Sequence, residues 1–382
     1  MPRHRLESEH CEVNNPDFTF AILPPPDPRL TVDPARFRYM YVTMPFVADI
    51  QGYRINFAFP PPVQITQNIF GAGFRPIGIG HAVLSNGRKA VYVADYQVNQ
   101  INGFTIDQSS GALGNFQKPV FAATGTNPLH ITVHPSNRFL YVTNQGSNDV
   151  SAYSISPFGD LVPLGAGVGT GRIPAGISPV GIAVNAGLAY VANTGSNDIS
   201  EYRIDDNGML QEIPLHSPVK AGNQPQRVAI HPNGRFVYVT NAVDNTVSQY
   251  TITDAAHAGT APFGALVPMQ PATVPSGISP VAVAIHPSGR FVYVANASDD
   301  TVTPYTVDEN TGSLKKGFDV SLYQGLKPND LAIDPSGKDL YVVCYNTSEI
   351  ERHSIDVQNG GLLGGNVVPT PFANPALLTI VP

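Results

Sequence analysis

Tryptophan is absent from this 382-residue chain, and cysteine occurs only twice, as Cys11 and Cys344. Without a Cys-x-x-Cys-His run there is no covalent haem attachment, and two cysteines so far apart offer no zinc spacing. The default reading is two unpaired small residues; a disulfide clamping an N-terminal tail is the alternative. Charge is sparse: charged residues make up 13%, the net charge is −7, and no Lys/Arg run is present. That excludes an electrostatic footprint for nucleic acid. No apolar run is long enough to span a bilayer as a helix, and no segment keeps a helical period, so almost no α-helix is expected. Residues 1–30 carry no apolar signal core, and Pro24-Pro25-Pro26 reads as extended. A surface poor in lysine and rich in Asn, Thr, Ser and Gln leans towards a periplasmic or secreted protein.

What is present is a repeat. A strand ends in Tyr41-Val42-Thr43-Met44, and the phrase returns at Tyr92, Tyr141, Tyr190, Tyr238, Tyr293 and Tyr341, at spacings of 51, 49, 49, 48, 55 and 48 residues. A period near fifty in a β-rich chain marks one supersecondary unit that is stacked or closed into a ring. In the third copy, Pro128–His134 alternates as a strand, and Pro135-Ser136-Asn137 turns it. Arg138–Asn144 is a second strand, Val150–Ile155 a third, and a weaker fourth lies near Leu161. The unit is a four-stranded antiparallel meander.

The first copy starts near Phe37 and lacks its first strand, whereas Asn374–Pro382 repeats the pattern of Gln224–Pro232. A C-terminal strand completing the first blade would close the circle and remove the exposed sheet edges. The expectation is an all-β, seven-bladed β-propeller over residues 37–382, preceded by an extended tail, residues 1–36. A closed ring has no edge that demands a partner, so a monomer is expected.

In a ring of this kind the first strand of each blade lines the central channel. Two residues after the opening proline, the copies read His130, Gly181, Arg227, Ala282 and Asp330; the first blade supplies Leu377, and the irregular second blade offers Gly80 and His81. Packing alone does not require such variety, so charged groups converging there point to a ligand. The bland alternative is a set of solvated channel residues that pair with each other. A second set, His134, His231 and His286 with Asp334, occupies one repeat position before the Pro-x-Gly/Asn turn. Each is placed by its own turn, whose backbone it can bond, so a structural role is expected rather than a metal site. The turns opening at Asn144, Asn193, Asn241 and Asn296 are rich in Asn, Asp and Ser. They lack the terminal glutamate of a dense calcium loop and make the channel mouth polar, suiting a hydroxyl-rich ligand. Neither a metal nor a cofactor is expected.

The Tyr-Val-Thr-Asn phrase, the His-Pro-x-Gly-Arg-Phe turn and the Gly-Ser-Asn-Asp loops resemble the YVTN-repeat propellers. They also resemble the seven-bladed lactonase family, which includes propeller-type 6-phosphogluconolactonases and carboxymuconate-lactonizing enzymes. His130 in Asn127-Pro128-Leu129-His130 is similar to that family's channel histidine after a proline. Arg227 in Gln224-Pro225-Gln226-Arg227 is similar to the arginine of its Pro-Arg-His phrase, shifted by one residue. Ala282 stands near the family's glutamate, and Asn296-Ala297-Ser298 replaces an Asn-Arg-Gly phrase.

The resemblance implies hydrolysis of a small sugar-type or carboxylated lactone at the channel mouth. Such a reaction needs a base for water and a cation for the developing oxyanion. His130 is the expected base, Arg227 the clamp and Asp330 the orienter, with His81 in reserve and the four turn asparagines contacting substrate. The rival expectation is a non-catalytic secreted or cell-surface propeller that binds a protein or carbohydrate.

Overall fold

The computed structural model describes residues 38–55, 63–65, 73–165, 171–254, 261–323, 326–370 and 374–381. These residues form seven separate antiparallel sheets and, among the described residues, no helix. Blade III shows the plan. Pro128–Val133 lies innermost, followed outward by Phe139–Asn144, Asp149–Ile155 and Leu161–Pro163. The strands form because Val, Ile, Tyr and Phe fit a pleated surface buried on both faces. The hairpins between second and third strands turn through a non-glycine residue at positive φ, such as Asn148 (58°) or Asn197 (57°), and asparagine tolerates that region. In blades III, IV and VI the outer strand is broken. In blade III, for example, both Leu161–Pro163 and Arg172–Pro174 pair with Asp149–Ile155.

The ring closes as expected. Leu377–Val381 pairs antiparallel with the first strand of the chain, Thr43 opposite Leu377 and Tyr39 opposite Val381, and so becomes the innermost strand of blade I. Each innermost strand packs on its two neighbours, and Leu377–Val381 touches both Pro76–Val83 of blade II and Pro328–Ile333 of blade VII. Burial therefore lies between blades, which lets a chain of this length avoid one oversized core.

The repeated phrases are the joints. The phrase tyrosines at 41, 92, 141, 190, 238 and 293 are all fully buried. Each donates its hydroxyl across the interface to a glycine carbonyl of the next blade: Gly111, Gly159, Gly208, Gly264, Gly312 and Gly360, at 2.6–2.9 Å. Those glycines sit at positive φ, and at Gly208 a Cβ would fall 2.4 Å from the Phe139 ring. The tyrosine, the glycine and the packed ring thus specify one another.

The His-Pro-x-Gly-Arg-Phe phrase is a second joint. His231 and His286 each donate Nε2–H to a backbone oxygen of the next blade, Gly289 and Gly337, at 2.8 Å. Their Nδ1 atoms accept backbone N–H bonds from their own turns. His134 does the same towards Ala186 at 3.2 Å. The following Phe lies edge-on to the histidine and beneath the arginine, as in His286–Phe291 (5.7 Å) and Arg290 over Phe291 (5.0 Å). The structural role expected for these histidines therefore includes the neighbouring blade as well as the local turn. At the closing seam Asp334 replaces the imidazole and pairs with the buried Arg38 of blade I. Cys344 is buried, and burial pushes its thiol well above the usual range. The expected tail, with Cys11 and any pairing to Cys344, lies outside the described residues.

Candidate functional site

Each blade from II to VII has a register shift just after the opening proline, for instance between Pro128 and His130 or between Pro328 and Asp330. A bulge there turns the next residue out of the ladder and re-aims it. The register also corrects the reading of blade II. Pro76 pairs with Asp95 as Pro128 pairs with Asn144, so the residue equivalent to His130 is Gly78. The irregular spacing had suggested Gly80.

From blade I to blade VII the bulged ring now reads Leu377, Gly78, His130, Gly181, Arg227, Ala282, Asp330. Large residues alternate with small ones. The small ones leave room for their neighbours: a Cβ on Gly78 would lie 2.5 Å from the Leu129 carbonyl oxygen, and one on Gly181 would lie 2.6 Å from that of Gln226. The third residue of the Tyr-Val-Thr-Asn phrase follows the same alternation, with Thr43, Thr143 and Thr240 in blades I, III and V and Ala94, Ala192 and Ala295 in blades II, IV and VI. The hydroxyls of Thr143 and Thr240 accept the N–H of His130 and Arg227, both at 3.1 Å, satisfying donors that the bulge removes from the ladder. These threonines and small spacers escaped the sequence argument. Their two-blade alternation was the available signal.

His130, Arg227 and Asp330 are exposed by only 1%, 3% and 0%, so they are buried rather than set on an open rim. His130 accepts the Ile182 N–H at Nδ1 (3.2 Å). Its neutral ring therefore carries the proton on Nε2, which is buried without a hydrogen-bond partner among the described residues. Burial, with Arg227 nearby, holds the imidazole well below its usual pKa. A ring in this tautomer donates from Nε2, which disagrees with the base role expected for His130. Arg227 is lowered by burial to about 10, opposed by Asp330, and stays cationic at neutral pH. Burial raises the Asp330 carboxyl well above the carboxylate range, opposed by Arg227 and by the Leu331 N–H on Oδ1. Its Oδ2 is buried without a partner among the described residues. An acid, a cation and a neutral donor, two blades apart in sequence, are thus electrostatically joined through Arg227.

The other expected residues are not brought into this group. His81 lies three positions farther along its strand, buried, with Nδ1 3.0 Å from Thr379 Oγ1 of blade I; burial lowers it to about 3. Asn144, Asn193, Asn241 and Asn296 are fully buried inside their own blades. Each spends its amide on two hydroxyl or carboxylate oxygens of the third strand, such as Asp149 (2.7 Å) and Ser151 (2.9 Å) for Asn144. They hold the turns in shape. Among the described residues no group of three His, Cys, Asp or Glu side chains could hold a metal ion.

The chain matches the family model for lactonases of the seven-bladed β-propeller type over residues 63–173 and 181–371. It is 26% identical to a 6-phosphogluconolactonase of Bacillus subtilis over 229 residues, 56% of this chain and 62% of that relative's length. Among solved structures, the periplasmic gluconolactonase of Pseudomonas aeruginosa superposes with a TM-score of 0.71 at 18% identity, covering 91% of this chain and 99% of the other. A Bacteroides uniformis protein provisionally assigned as a 6-phosphogluconolactonase gives 0.75 at 17% identity, covering 91% and 100%. At such identities the likeness is one of fold.

Proposed function

The chain belongs to the lactonase family of seven-bladed β-propellers, and on that premise we propose that it hydrolyses a small lactone in the throat between His130, Arg227 and Asp330. Asp330 Oδ2 takes a proton from water, whose oxygen attacks the ring carbonyl. Arg227 and the Nε2–H of His130 stabilise the oxyanion as charge develops. Collapse breaks the bond between the acyl carbon and the ring oxygen, and the proton on Asp330 passes to that oxygen, leaving a hydroxy acid.

The observation that carries this reading is the pair of unpartnered buried atoms, a donor on His130 and an acceptor on Asp330, each under the electrostatic influence of the buried Arg227 guanidinium. Unpaired buried polar atoms cost stability, about 1–3 kcal/mol each, and persist where something else needs them. A raised carboxyl pKa also suits a base working near neutrality. The same burial favours a second reading, a non-catalytic propeller, because no more than 3% exposure gives water little access. A pH-stat assay against glucono-δ-lactone, 6-phosphogluconolactone and aryl lactones, with Arg227→Ala alongside, separates them. Acid release lost in the variant supports the hydrolase. Release at the spontaneous rate for every substrate overturns it.

A further inference from the structure

In six blades one backbone hydrogen bond links the residue before the opening proline to the residue that follows the Tyr-Val-Thr-Asn phrase. The pairs are Arg75–Tyr96, Asn127–Gln145, Ser178–Thr194, Gln224–Ala242, Ser279–Ala297 and Lys327–Tyr345, with N···O distances of 2.8–3.1 Å. This hydrogen bond is therefore common to all six, while the side chains differ. Blades III to VI carry small or uncharged groups. Blades II and VII each carry a cation over an aromatic ring, Arg75 5.1 Å from the Tyr96 centroid and Lys327 5.2 Å from that of Tyr345. Blade I lies between them and adds Phe46, 61% exposed and tilted against Tyr345 at 6.4 Å. Arg75 also acts electrostatically on Tyr345 across blade I.

Two carboxylates beside this lip of cations and rings accept backbone N–H groups. Asp95 accepts the N–H groups of Phe74 and Arg75, and Asp300 accepts the N–H of Lys327. In a protein of net charge −7, two cations and three rings on one side of the face form a local exception, and the Phe46–Tyr345 contact also ties blade I to blade VII.

We propose that this lip is a substrate subsite for an aryl group bearing an acidic substituent. The aryl ring stacks on Phe46 and the Arg75 guanidinium, and the acidic group meets Lys327. The inference deepens the throat reading and rests on it for the reaction, because Lys327 directly precedes the strand that carries Asp330. It assigns an aryl-acid lactone as the substrate class.

Binding is measured first, by calorimetry on the intact protein with 4-hydroxybenzoate, gluconate and inorganic phosphate as probes. The expected result is tightest binding of 4-hydroxybenzoate, weakened about tenfold in Phe46→Ala and in Lys327→Ala, as loss of one stacking or cation contact predicts. Phe46→Tyr retains it, and Val243→Ala on blade V leaves it unchanged. Equal binding of gluconate or phosphate, or an affinity that none of the lip variants alters, overturns the subsite. This readout needs no turnover: a protein that binds the aryl acid at the lip and hydrolyses nothing keeps the subsite and loses the throat mechanism. Hydrolysis of glucono-δ-lactone with no aryl-acid binding does the reverse.

Discussion

The joints between blades and the throat use the same strands in opposite ways. At the joints one solution recurs: a tyrosine hydroxyl on the next blade's glycine carbonyl, and an imidazole on the next blade's turn. At the throat, one strand away, equivalent positions hold Leu, Gly, His, Gly, Arg, Ala and Asp. Repetition marks what every blade needs in order to stand beside another. Departure from repetition marks what the ring as a whole does at its axis, where residues from different blades meet.

The contrast breaks first at Arg227. Arg227→Ala is expected to lower kcat/KM for the accepted lactone by at least about a hundredfold, the scale of losing one oxyanion donor, with the fold intact by circular dichroism; undiminished kcat/KM refutes the role. Asp330→Asn should remove activity comparably and yet raise the melting temperature. Its folded pKa is raised, so ionisation above the unfolded value destabilises the native state, and the amide removes that penalty. A lower melting temperature would mark Asp330 as structural. The acid limb of the pH–rate profile should lie above the ordinary carboxylate range and vanish in this variant.

At the joints the effects should fall on stability alone. Arg38→Ala leaves the buried Asp334 without its cation at the closing seam, though still bonded by Ser336, and is expected to cost about 3 kcal/mol in chemical denaturation. Tyr190→Phe removes only the bond to Gly264 and should cost about 1–2 kcal/mol with kcat unchanged. The last effect concerns His81. Its folded pKa is depressed to about 3, so below about pH 6.5 the unfolded chain takes up a proton that the folded one refuses. Stability should fall by about 1.4 kcal/mol per pH unit from this group as pH drops. His81→Gln should flatten that slope, and an unchanged slope would mean that the ring titrates normally.

The fold was legible because a propeller writes its period into the chain. Tyr41 to Tyr341 count the blades, and the final strand's likeness to Gln224–Pro232 announces the closure. The throat trio could be read for the same reason, as departures from a known register. Blade II misled because Pro76 stands 16 residues before Tyr92, where Pro128 stands 13 before Tyr141; the added residues lie beyond the bulge, so counting back from the phrase stops short of Gly78. The turn asparagines misled because polar turn residues suggest a wet surface, whereas their amides are buried under the third strand.

By itself the sequence determined the period, the number of blades, the ring closure and which positions break the repeat, because these are properties of spacing along one chain. Only the tertiary structure decided that His130 accepts from blade IV at Nδ1 and so keeps its proton on Nε2, and that Phe46, Tyr96 and Tyr345 share one side of a face. Those facts depend on contacts between blades tens of residues apart. Hydrogen-bond direction and desolvation are set by what surrounds a group in space, and sequence neighbours carry little of that information.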